Sequence, residues 1–255
     1  MRVTFLGSGT SGGVPVLNCD CDVCRSSHPK NKRLRSSLLI QAADLHLLVD
    51  TSPDLRQQLL RCPIPRVDAI LYTHAHADHI FGLDELRRFN YLQKERIPAY
   101  TNHPTSEKML EVFDYAFHDG PLRPGVPNLS MHLVDGLFKI SDLEILPIPL
   151  LHGKQDILGF RIGNFAYCTD VSCIPESSYA LLENLDVLVL DSLREKPHPT
   201  HFSLGQAIDE ASKIKATKTY FTHISHILDH ERHGNNLPAN CHFAYDGLAL
   251  EITGV

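Results

Sequence analysis

The heptapeptide Thr73-His74-Ala75-His76-Ala77-Asp78-His79 places three imidazoles and one carboxylate in a single short loop. Neutral imidazole suits Zn, Mn or Fe, and a carboxylate adds a hard oxygen ligand. Four donors exceed what one tetrahedral ion takes from one loop, so the segment predicts a two-metal site. Two ions roughly 3.5–4 Å apart can share a hydroxide and bring its pKa towards neutrality, giving a nucleophile without a Ser or Cys. Such a centre needs ligands from elsewhere in the chain. His152, Asp170 and His223 are the expected ones, because each follows an apolar segment that reads as a strand.

A second cluster has softer chemistry. Cys19, Cys21 and Cys24 offer three thiolates on one short loop, and sulfur favours zinc. A closed structural site requires a fourth ligand. His226, three residues beyond His223, is expected to supply it, so that one imidazole turns into the two-metal site and the other back to the thiolates. Cys62, Cys168, Cys173 and Cys241 stand alone and read as core thiols. An odd total of seven cysteines suits a metal knuckle in a reducing compartment better than a disulfide scaffold.

The elements that must position these side chains follow from patterning. Strand Val67–Tyr72 delivers the histidine loop, and a helix-like stretch, Leu83–Asn90, follows it. Strand Arg2–Leu6 enters a Gly-rich turn, Gly7–Gly13, which lacks the Gly-Lys-Ser/Thr ending of a phosphate-binding loop and reads as a close backbone approach. The basic run Arg25, Lys30, Lys32, Arg33, Arg35 reads as a solvated face. Ser36–Gln41 and Leu45–Asp50 form a predicted hairpin, and Ser52-Pro53-Asp54 caps a helix to about Arg61. From Pro98 to Gly136 the pattern is weak: a helix starting at Pro104-Thr105-Ser106-Glu107 with Met109–Phe117 as its body, then a Pro- and Gly-rich loop carrying His118 and Arg123, expected to lie over the site. Strands Leu143–Ile148, Ile157–Ile162, Phe165–Cys168, Asp186–Leu190 and Thr217–Phe221 come next, with helices Glu176–Asn184 and Ser203–Lys213 between. A last hairpin is expected over Phe243–Ile252, turning at Asp246-Gly247. No repeat or linker interrupts the chain, so residues 1–255 are expected to form a single domain.

Composition narrows the function. A net charge of −6 argues against a general nucleic-acid or anionic-membrane surface, yet permits a small anionic substrate held by metal ions. No secretory signal and no membrane span are legible, so the expectation is a cytoplasmic protein.

The pattern His74-x-His76-x-Asp78-His79, with its distant partners, resembles the signature of the metallo-β-lactamase superfamily. That resemblance implies an α/β fold, a four-layered αββα sandwich. It assigns His74, His76 and His152 to one ion and Asp78, His79 and His223 to the other, with Asp170 bridging, and it makes Asp50 a buried brace. Taken with the Gly-rich turn, the cysteine knuckle, Thr222-His223-Ile224-Ser225-His226 and Tyr245-Asp246-Gly247, the chain resembles the PhnP-like phosphodiesterases of that superfamily. These open phosphoribosyl 1,2-cyclic phosphate. The implied activity is a phosphodiesterase with two divalent ions (Mn or Zn), one structural zinc and a small phosphodiester substrate, with no membrane or nucleic-acid partner expected and compatible with a homodimer. His201 and Asp78 are the expected catalytic residues. His201, at the start of a helix as in superfamily phosphodiesterases such as tRNase Z, is expected to protonate the leaving oxygen, with His198 as the alternative. Three rival readings remain: a tRNase Z-like nuclease, which wants a basic arm; a thioester or lactone hydrolase; and a non-catalytic carrier of the PqqB kind.

Overall fold

The computed structural model describes residues 1–253. Fourteen strands form two sheets of seven. They are β1 (Arg2–Gly7), β2 (Ser37–Ala42), β3 (Leu45–Val49), β4 (Ala69–Leu71), β5 (Ile97–Thr101), β6 (Leu129–Leu133) and β7 (Phe138–Ile140), followed by β8 (Leu143–His152), β9 (Gln155–Ile162), β10 (Phe165–Cys168), β11 (Val187–Asp191), β12 (Lys218–Thr222), β13 (Cys241–Phe243) and β14 (Ala249–Glu251). One sheet runs β14-β1-β2-β3-β4-β5-β6 and the other β13-β12-β11-β10-β9-β8-β7.

Period-two alternation sorts the side chains. Leu38, Ile40, Leu47 and Val49 point between the sheets and meet Ile145, Phe160, Ile162 and Val189 of the other sheet. Their neighbours Leu39 and Leu48 face outwards, where Leu55, Leu83, Leu86 and Met109 of the flanking helices cover them. On the far side, Leu188, Leu190 and Phe221 pack under Leu182, Ala207 and Ala211. The result is the expected αββα sandwich: two mixed sheets face to face, with helices on both outer surfaces.

Each sheet is antiparallel at one side and parallel at the other. β3, β4, β5 and β6 pair parallel, as do β10, β11, β12 and β13. Parallel strands end at a common sheet edge, and ligand sites of α/β proteins lie outside such carboxyl ends.

Four expectations need correction. The tail is not a hairpin: β13 adds parallel to β12 in one sheet, and β14 adds antiparallel to β1 in the other. Asp246 causes the divergence by accepting bonds from Ser8 N, Ser8 Oγ and Leu34 N, which pins the turn to the N-terminal region. Arg33 is not on a solvated face. It is buried, and its guanidinium donates to the carbonyls of Ser225 and Leu228 and to Asn31 Oδ1. The segment after the helix His103–Val112 is not a lid over the histidine loop: Asn128 ties it to Asn90, and Arg96 donates to the Gly120 carbonyl. The weakly patterned stretch also holds strands that were not expected: β5 before that helix pairs with β6 after it, and Pro98 and Ser130-Met131-His132 obscure their alternation.

Candidate active site

Six strand ends converge on one edge of the sandwich. Val49 is followed by Asp50, Leu71 by Tyr72-Thr73-His74, and Cys168 by Thr169-Asp170; β8 ends in His152, β11 in Asp191, and Thr222 is followed by His223. Asp50, Asp170 and His223 all take left-handed backbone conformations, with φ of 60°, 59° and 57°. Side-chain-bearing residues adopt this region at some cost, and the cost is tolerated where the chain must turn a group back towards a site. The Gly-rich turn lies beside them as a backbone junction. Gly9 bridges both Arg35 and Ile224, and a Cβ on Gly7 would fall 2.0 Å from the Arg35 carbonyl oxygen.

The side chains fall into two donor groups, His74, His76 and His152, then Asp78, His79, Asp170 and His223. His74 Nε2 lies 3.1 Å from His76 Nδ1. His79 Nε2 lies 3.3 Å from Asp78 Oδ2 and 3.3 Å from Asp170 Oδ1, while His223 Nε2 lies 3.3 Å from Asp170 Oδ2. A tetrahedron with arms of about 2.1 Å has edges of about 3.4 Å, so these spacings suit cation ligands. His79 Nε2 is buried without a hydrogen-bond partner among the described residues, which a cation would remedy. In the protein without metal the two groups differ electrostatically. Burial and the neighbouring His79 hold His74 well below its ordinary value, leaving a neutral ligand. Burial pulls His79 and His223 the same way, but Asp170 and Asp78 outweigh it, and His223 rises to about 8.

Asp50 is the brace. Fully buried, it accepts from Thr73 N at 2.8 Å, Thr73 Oγ1 at 2.8 Å and His79 Nδ1 at 2.7 Å. Thr73 Oγ1 in turn accepts from His74 Nδ1 at 3.0 Å. Both rings are thereby fixed with Nε2 free for a cation. His152 Nδ1 does the same by donating to the Asp170 carbonyl at 2.7 Å. Asp50→Asn is expected to weaken metal binding by roughly 10–100-fold, measured by titrating metal into stripped protein; unchanged affinity would remove Asp50 from this role.

His201 reaches the same edge from the loop after β11, its ring stacked on His223 with centroids 4.8 Å apart. Its Nδ1 donates to Asp191 Oδ2 at 3.0 Å, and the Phe202 amide donates to the same oxygen. Deep burial disfavours charge on either partner: it lowers His201 to about 4, helped by His223, and raises Asp191. Asp191 went unnoticed in the sequence. Its signal was there, a carboxylate directly after Val187-Leu188-Val189-Leu190, the same arrangement as at Asp50. His198 stands further out, its ring 5.2 Å from that of His201. His118 lies away from this edge, held by Asn128 Oδ1 at 2.9 Å.

Cys19, Cys21, Cys24 and His226 form a separate group. His226 Nδ1 lies 3.3 Å from both Cys19 Sγ and Cys21 Sγ. Burial raises the Cys21 thiol, but the Cys24 amide, His226 and Cys19 outweigh it and bring it to about 6; burial pushes Cys24 up to about 11. Arg33 grips the carbonyls on either side of His226, so the knuckle and the guanidinium secure the same segment that carries His223. Cys21→Ser is expected to lower the thermal midpoint by about 5–10 °C and to remove one equivalent of zinc. Calorimetry with metal analysis checks this, and an unchanged midpoint would contradict it. Of the lone cysteines, Cys168 and Cys241 are buried, Cys62 is half-buried and Cys173 is exposed, so the core reading fails for Cys173.

Comparison with known proteins agrees with this geometry. Residues 46–224 match the beta-lactamase superfamily domain. A crystal structure described as a new diphosphatase from the PhnP family superposes with a TM-score of 0.93 at 44% identity, covering 99% of this chain and 98% of that one. Zn(2+)-bound PqqB from Methylobacterium extorquens has the same fold, with a TM-score of 0.80 at 22% identity over 99% of this chain and all (100%) of that one. The octanoyltransferase of Porphyromonas gingivalis is 39% identical over 257 residues, 99% of this chain but 52% of that protein. The chain thus spans about half the length of the first curated relatives it matches.

Proposed function

Since the chain belongs to the beta-lactamase superfamily and, within it, to the PhnP family, we propose that this metal-dependent hydrolase is a phosphodiesterase acting on a small, cyclic phosphodiester such as phosphoribosyl 1,2-cyclic phosphate. The observation that carries the reading is Asp170, whose two oxygens face both donor groups while His201 stands beside them. His74, His76 and His152 would hold one divalent ion and Asp78, His79 and His223 a second, with Asp170 shared and manganese or zinc the expected metals. Bound there, the ions supply positive charge against the phosphate oxygens and acidify a water towards neutral pH. Asp50 keeps the His79 and His74 rings oriented. Asp191 holds Nδ1 of His201, so that the proton given to the leaving oxygen sits on Nε2. The anionic phosphate beside that ring favours the imidazolium that burial alone disfavours.

The same reading gives the cysteine knuckle one structural zinc, treats residues 1–255 as one hydrolase domain and places it in the cytoplasm. A nuclease reading is disfavoured by the net charge of −6, and a carrier reading by the complete donor set. The octanoyltransferase relative makes acyl-thioester hydrolysis the second reading worth testing.

The test is turnover of phosphoribosyl 1,2-cyclic phosphate beside a 2′,3′-cyclic nucleotide, bis(p-nitrophenyl) phosphate and an octanoyl thioester, with Mn or Zn. Preferred opening of the sugar cyclic phosphate supports the proposal. Cleavage of the generic diester alone keeps the phosphodiesterase and discards the substrate. Turnover of the thioester alone discards both.

A further inference from the structure

The open end of the sandwich has chemistry that the hydrolytic site does not use. Lys218 begins β12 and His223 follows its end, so at about 3.3 Å per residue the two lie about 16 Å apart. At inner-face positions, where β11 carries Val187 and Val189, β12 carries Lys218 and Tyr220 and β13 carries His242. Lys218, Tyr220 and His242, with Lys30, His230 and Tyr245, line a cavity of about 550 Å³. Tyr220 and His242 present rings with centroids 5.3 Å apart, and Lys30 Nζ sits 4.2 Å over the Tyr245 ring. His230 meets Tyr245 edge-on at 5.8 Å, and its Nδ1 is buried with no hydrogen-bond partner among the described residues. The carboxylate in the wall, Glu231, lies 3.3 Å from His28 Nε2. In a chain of net charge −6, this wall gathers two ammonium groups and two imidazoles around aromatic faces.

We propose that this cavity is a second binding site, separate from the metal centre, for a nucleoside monophosphate. The base lies against the Tyr220, His242 and Tyr245 rings, and the phosphate sits between Lys30 and Lys218. Aromatic faces take any base by stacking, and lysine ammonium groups take phosphate as point charges. The volume falls in the range of small-molecule sites. Burial and Lys30 lower His230 to about 4, so its ring is neutral at physiological pH and adds no third cation to the wall.

The experiment is isothermal titration of the metal-loaded protein with AMP, adenosine and inorganic phosphate, repeated with K218Q/H242A and with K30Q. Both positions of the double variant are exposed, and its hydrolysis of bis(p-nitrophenyl) phosphate is expected to match the parent's, which certifies its fold. AMP is expected to bind more tightly than adenosine or phosphate, and each variant to weaken it by about tenfold or more. Absence of AMP binding overturns the proposal. So does binding that both variants leave unchanged, which would place AMP at the metal centre, or phosphate binding as tight as that of AMP.

Discussion

Asp170→Asn is expected to lower turnover by about a thousandfold or more, because loss of several kcal/mol of charge stabilisation costs a factor of ten per 1.4 kcal/mol. The substitution preserves shape and removes one charge from the point where both donor groups meet. Asp170 Oδ1 lies 3.3 Å from His79 Nε2, and Oδ2 lies 3.3 Å from His223 Nε2 and 3.8 Å from His74 Nε2. Burial alone would raise this carboxyl, but the facing His223 and His79 hold it well below the usual carboxylate range. An amide also turns an N–H towards one of those nitrogens. The measurement is metal content by mass spectrometry beside turnover, with circular dichroism to confirm the fold. If the variant keeps two ions and turns over within tenfold of the parent, Asp170 does not bridge them.

His201→Ala is expected to lower kcat by roughly 10²–10⁴-fold for a sugar or alkyl leaving group, the usual worth of a positioned general acid. The effect depends on the leaving group. An alkoxide needs a proton to depart; p-nitrophenolate does not, so the loss on bis(p-nitrophenyl) phosphate is expected to be far smaller. Metal content is expected to stay at the parent level, because His201 Nδ1 is committed to Asp191 rather than to either donor group. An equal loss on both substrates, with metal retained, would make His201 a positioning residue and not the acid.

The candidate site was largely legible because its residues obey a local rule: a polar side chain stands within three residues of the end of an apolar strand. His74, Asp170 and His223 could be picked from the chain on that basis, Asp50 follows from the family resemblance, and the structure gathers them at one edge. Asp191 obeys the same rule and was passed over, since its work is to hold a second imidazole that is only spatially near. Arg33 shows the opposite failure. A basic run looks solvated until its carbonyl acceptors, Ser225 and Leu228, arrive from nearly two hundred residues away (|i−j| of 192 and 195). The tail misled for a similar reason. Apolar residues on both sides of Asp246-Gly247 read as a hairpin, and only the bonds from Ser8 and Leu34 to Asp246 send its two arms into different sheets.

That parting of the arms also governs when the fold can form. β14 lies against β1, with Met1 and Ile252 exchanging bonds of 2.8 and 2.7 Å. One edge of β1 thus waits for a partner whose anchoring bond spans a sequence separation of 251. Asp246, which anchors the Gly-rich turn beside His223, is nearly as remote from it in sequence. The histidine loop can therefore form locally before these long-range contacts hold its neighbours in register. β1 stays open to wrong strand partners until those distant contacts close.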